Sequence, residues 1–216
     1  MALFLVDRFH ARKRDEQQSL IDAGHLQKKE ELTLLEGEQL RPLALLSLQM
    51  FIVGGLFFLL LDLLAYHWHY HYWLATLTPT SSIRWIFLNV IGYLLILCVH
   101  ELIHGAVFAF WGGQPHFGAR LPLALYCGAR QQLFRRNHYL AVGLAPLVFL
   151  TLLGIMVTIC YPGPASYLLL AFAGNFAGAA GDVVVAQRVA RLSKAVLIED
   201  TEVGYTAWEI SEQPRS

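Results

Sequence analysis

His100 and His104 stand four residues apart with Glu101 between them, in the stretch Cys98 to Phe110, CVHELIHGAVFAF. On a helix such a spacing stacks the two imidazoles on one face, where they can grip one ion. Glu101 lies beside the pair, placed to hold a metal-bound water rather than the metal. Two His and a carboxylate form a zinc set whose fourth position is left for that water. Zinc lowers the water's pKa to about 7 and polarises a carbonyl. Glu101 would then accept the water's proton and pass it to the leaving amine. The bland alternative is a coincidental pair of buried histidines.

The setting of the motif argues against coincidence. The chain has 216 residues, 56% of them hydrophobic and 15% charged, against about 25% charged in ordinary soluble domains. Spanning a bilayer takes about 20 mostly apolar helical residues. Four stretches qualify: Leu43 to Ala65, Ile83 to Trp111, Leu140 to Tyr161, and Ala165 to about Ala190. Pro162, Gly163 and Pro164 make the turn between the last two. Four such runs leave too little polar surface to cover them in a soluble fold. Ionisable residues inside a span are costly and mark function by default, and the second span holds three of them within five residues.

Lys and Arg assign the topology. Seven precede Leu43, the loop Tyr66 to Ser82 has none, the loop Gly112 to Tyr139 has four, the proline turn has none, and four follow from Arg188. The alternation fits four spans with both ends cytoplasmic. The aromatic run Tyr66 to Trp73, YHWHYHYW, then lies at the outer interface, where Trp and Tyr are enriched. His67, His69 and His71 alternate within it; a zinc-binding strand would put all three on one side, and an interfacial belt with incidental histidines is the other reading.

The expected class is therefore an all-α membrane protein of four transmembrane helices, with room for a short β-hairpin or re-entrant element in the Gly112 to Tyr139 loop. Residues 1–42 read as a cytoplasmic surface region, helical from Glu16 to Gln39. Residues 43–190 read as the membrane-embedded domain, and 191–216 as a polar cytoplasmic tail. Sixteen basic and sixteen acidic residues cancel, which gives no sign of a nucleic-acid partner. Cys98, Cys127 and Cys160 are far apart and odd in number, so they make no disulfide framework.

Depth in the bilayer selects the third metal ligand. His100 and His104 lie roughly 10–17 Å from the inner end of the second span, and Asp182 roughly 12 Å from that of the fourth, at 1.5 Å per residue. Asp62 is about 28 Å away, near the outer face. Asp182 is therefore the expected ligand, with His116 and His138 of the loop as lesser alternatives. In Gly174 to Asp182, GNFAGAAGD, small residues permit close helix approach. Asn175, two turns before Asp182, is placed to hold substrate backbone or an oxyanion near the zinc.

HELIHG in one span, PHFG in a basic loop, Leu-Ala-Pro in the next span and Asn-x6-Asp after it together resemble a bacterial zincin peptidase family catalogued as a domain of unknown function. That group is in turn similar to the site-2 proteases, the intramembrane zinc proteases. The resemblance covers roughly Ile83 to Arg188. It implies a multi-pass protein of the bacterial cytoplasmic membrane in which His100, His104 and Asp182 bind Zn2+, Glu101 is the general base, and Asn175 matches the Asn that precedes the ligand Asp. It also implies that strands near the site pair with the substrate's backbone.

The expected function is a membrane-embedded zinc metalloprotease that cuts a membrane-associated protein or peptide near the cytoplasmic face, with the lipid bilayer as its surroundings. The competing class is a zinc-binding membrane protein without hydrolysis, a transporter or an inactive adaptor. Glu101 separates them, because transport does not need a base beside a ligand. A third reading is a zinc hydrolase acting on another amide bond.

Overall fold

The structure is a computed structural model that describes residues 3–34, 37–73, 78–120, 124–201 and 203–211. Residues 121–123 of the basic loop, 74–77 of the outer loop and 212–216 of the tail lie outside the described residues. The chain runs β1 (Phe4–Val6), α1 (Ala11–Asp22), β2 (Leu26–Thr33), α2 (Leu40–Tyr70), α3 (Pro79–Phe110), β3 (His116–Arg120), β4 (Ala124–Gly128), β5 (Gln132–Arg135) and α4 (Arg136–Cys160). There follow the single turn α5 (Pro162–Ala165), α6 (Leu169–Gly178), α7 (Ala180–Arg191), β6 (Leu197–Asp200) and β7 (Gly204–Ile210).

Four helical segments are long and apolar enough to cross a membrane: Gly37–Tyr70, Pro79–Phe110, Arg136–Cys160 and Pro162–Arg191. Their outward faces are apolar. On α2, Leu45, Leu48, Ile52, Leu56 and Leu60 recur at helical spacing and are all exposed, a stripe that a soluble fold would bury.

The all-α class is wrong. Besides its helices the chain builds a five-stranded mixed sheet, in the order β1-β5-β6-β7-β2, and a two-stranded hairpin of β3 and β4. The β3–β4 hairpin lies in the Gly112 to Tyr139 loop, where one was expected, whereas β2, β6 and β7 arise where helix or tail was expected. The helix expected over Glu16 to Gln39 ends at Asp22, and Gly24, at φ +85°, turns the chain into β2. That strand, LQKKEELT, has a helix-forming composition, but it pairs antiparallel with β7 from Leu26↔Ile210 to Thr33↔Gly204. Pairing with a distant partner overrides a weak local preference. The segment read as a tail supplies β6 and β7.

The chain divides into two compact units. One is formed by residues 1–41, 101–145 and 181–216 and contains the five-stranded sheet. Side chains alternate across a strand, and here the alternation separates two cores. Leu5, Leu133 and Leu197 face one side with Ile21 of α1 and Leu26. Val6, Phe134, Ile198, Tyr205 and Ala207 face the other, against Phe108, Tyr139, Val142 and Val189 from the helices. Asp7 is buried at the end of β1, where it accepts from Arg135 Nε and from the backbone N–H of Phe9 and His10. Burial alone would raise its carboxyl, but Arg135, His10 and the Phe9 N–H outweigh that and hold it at about 2.

The other unit, residues 42–100 and 146–180, is helical. Aromatic rings close on glycines here. Phe58 stacks on Phe172 at 4.5 Å between centroids, over Gly154, while Tyr93 lies on Gly174 and Phe176 on Gly54. Asn89, fully buried in α3, donates to the carbonyls of Trp85 and Ser166 and accepts from the N–H of Leu170. Ser47 of α2 donates to the Ala177 carbonyl at 2.9 Å. These contacts hold α6 among α2, α3 and α4.

Candidate metal centre

The motif lies where the i, i+4 geometry of α3 puts it. His100 and His104 are 4% and 6% exposed, Glu101 is half-buried, and one ligand atom from each of the three lies within 4.8 Å of the others. Among the described residues this is the one group of three or more such side chains close enough to share an ion.

Each imidazole is fixed through its Nδ1. His100 Nδ1 is 3.1 Å from Asn175 Oδ1, and His104 Nδ1 is 2.9 Å from the Val142 carbonyl oxygen. Both partners are acceptors, so in each ring Nδ1 carries the proton and donates. This leaves Nε2 as the nitrogen suited to a metal, in the tautomer that metal-binding histidines adopt when an outer hydrogen bond orients them. His104 Nε2 indeed faces a carboxylate, Asp182 Oδ2, at 3.4 Å. Two imidazoles presenting Nε2, with carboxylates beside them, are a donor set that fits zinc.

Asp182 stands in the first turn of α7 and Asn175 in α6, with the helix interrupted at Ala179 between them. Asn175 is 2% exposed, and its side-chain oxygen is engaged by the His100 ring. No residue type signalled the Val142 carbonyl, because any residue carries one.

The other candidates are not in that group of three. His138 stacks on Trp111, 3.7 Å between centroids, and His116 begins β3. His67 and His69 are on helical turns of α2, where alternation does not put residues on one side, so the zinc-strand reading fails; His67 stacks on Trp73 at 4.0 Å.

The β3–β4 hairpin lies over the helix one residue past His104. A Cβ built on Gly105 would be 2.6 Å from Phe117 Cζ and 3.4 Å from Cys127 Sγ, so the absence of a side chain there admits the hairpin. Burial pushes the Cys127 thiol up to about 12, with Glu101 and Asp200 adding to the effect. Without a metal beside it, Cys127 therefore stays a protonated thiol and a poor nucleophile.

No curated protein and no solved structure matches the chain. The model of a family described as "Putative zincin peptidase" matches residues 93–197, just under half of the chain, a span that contains HELIH, the hairpin, Asn175 and Asp182.

Proposed function

We propose that the protein is a membrane-embedded zinc metalloprotease that hydrolyses a peptide bond of a membrane-associated substrate near the cytoplasmic face. The observation that carries this reading is the fixing of both HELIH imidazoles through Nδ1, by Asn175 and by Val142, beside Glu101. A chance pair of buried histidines has no reason to have both rings held through Nδ1, with a carboxylate at the Nε2 of His104.

His100, His104 and Asp182 would hold the zinc. When bound, the ion supplies Lewis acidity that acidifies a water and polarises the scissile carbonyl. Glu101 takes the proton from the attacking water and delivers it to the leaving nitrogen. Asn175 keeps the His100 ring in one orientation and tautomer, and the Val142 carbonyl does the same for His104. Asn175 thus acts through His100 rather than on the substrate. The hairpin over Gly105 is the element nearest the site that can offer backbone to an extended substrate.

The test is one preparation with two readouts. The purified chain should hold about one zinc per molecule, lost on His100→Ala or Asp182→Asn. Glu101→Gln should keep the zinc and abolish cleavage of a model membrane substrate. Undiminished activity in Glu101→Gln would sink the protease reading, and zinc binding with no hydrolysis by the wild type would favour the adaptor or transporter class.

A further inference from the structure

Where α3 ends, the N-terminal arm is fastened to it. The Arg8 N–H donates to the Trp111 carbonyl at 3.1 Å, and the Phe9 ring lies 5.4 Å from Phe110 and 5.7 Å from Trp111, centroid to centroid. Phe9 and Phe110 remain 53% and 55% exposed. Beside this aromatic cluster is a cavity of about 380 Å³ walled by Asp7, Arg8, Arg14, Trp111 and Gly112 among others. Arg8 is exposed and makes no ion pair among the described residues. Trp111 Nε1 has no acceptor among them.

The charges around the cavity leave a positive surplus. Asp7 is neutralised by Arg135, with His10 at 3.1 Å. Arg14 pairs with Asp15 at 2.8 Å, but both side chains are solvent-exposed, and such a pair contributes little. What is left is two guanidiniums around a hollow, next to bare aromatic rings at the end of a membrane-length helix. Donors of this kind suit phosphate oxygens, which guanidinium binds with paired hydrogen bonds. Trp and Phe at that level suit the boundary between headgroups and acyl chains.

We infer that this cavity binds the phosphate of an anionic phospholipid in the cytoplasmic leaflet, through Arg8 and Arg14, with the acyl chains running along Phe9 and Phe110. The inference rests on the membrane topology proposed above. A soluble phosphate has the same head chemistry, but the exposed rings have no use for it, so the lipid is the occupant.

The full-length protein in neutral detergent would be given short-chain phosphatidylglycerol or phosphatidylcholine, and retained lipid counted by native mass spectrometry. Wild type should retain phosphatidylglycerol at least tenfold better, and millimolar glycerol 3-phosphate should not displace it. Arg8→Gln with Arg14→Gln should remove that preference, while Arg12→Gln with Lys13→Gln, which removes the same charge from the same N-terminal arm, should change it less than twofold. Equal retention of the two lipids by wild type overturns the inference without need of a variant. So does an equal loss in both double variants, which would mean diffuse attraction, and so does displacement by glycerol 3-phosphate. If instead the chain is absent from the membrane fraction of expressing cells, the membrane reading itself fails, an outcome separate from loss of lipid preference in a chain that stays there.

Discussion

His100 donates from Nδ1 to the side-chain oxygen of Asn175 across 3.1 Å, and neither residue is more than 4% exposed. An imidazole held this way enters a metal site already turned. Outer-shell partners of this kind typically contribute about 10–100-fold to metal affinity. Asn175→Ala should therefore weaken zinc binding by that factor in a chelator competition. Unchanged affinity with lost activity would return Asn175 to a role on the substrate.

The segment that reads as a tail supplies the middle of the sheet. Val196, Ile198, Tyr205 and Ala207 are wholly buried, and β6 lies between β5 and β7. Deleting residues 195–216 should prevent the sheet from forming, seen in limited proteolysis as new cleavage around β2. A truncated chain as resistant as the full one would contradict the topology.

Two glycine-to-alanine changes should move stability in opposite directions. At Gly54 an added methyl would lie 2.6 Å from Phe176 Cγ and 2.8 Å from its Cβ, which is fixed to the backbone of α6. Overpacking of this kind costs about 1–3 kcal/mol. At Gly143, inside α4, nothing lies within 4 Å, so alanine's helix preference should add up to about 1 kcal/mol. Thermal unfolding of both variants in detergent checks the pair.

Asp7 gives a pH dependence of known sign. Its carboxyl titrates at about 2 in the folded chain, below the ordinary 3.8, so the unfolded chain binds the proton first. Its stabilisation is complete above about pH 4 to 5, on the order of 2 kcal/mol, and is lost as pH falls towards 2. Asp7→Asn should therefore lower the unfolding temperature at pH 7, by an amount that shrinks below pH 4. A constant difference down to pH 3 would mean that packing, not charge, is what Asn fails to replace.

What could be read from the residues follows the range of the interactions. HELIH was legible because four residues of helix suffice to bring His100 and His104 together, and the four apolar segments because membrane solvation acts on composition. The sheet was not. The residues of β2, QKKEE, favour helix locally, and only β7, far along the chain, makes them a strand. The β-branched and aromatic residues of Val196–Asp200 and Gly204–Ile210 were the available signal for β6 and β7, obscured by their position after the last apolar run. Asn175 was legible as a residue near the motif, but its partner, the His100 ring, was not, because that contact joins residues far apart in the chain.

The pairing of β2 with β7 also sets a schedule. When β2 leaves the ribosome its partner does not yet exist, and every membrane-length helix is made before Gly204–Ile210 appears. Contacts so distant in sequence form late. Glu101, His104 and Asp182 belong to the same compact unit as that sheet, so the side chains expected to do the chemistry reach their final support only after Gly204–Ile210 has been made. A nascent chain thus carries HELIH well before the sheet that supports it exists.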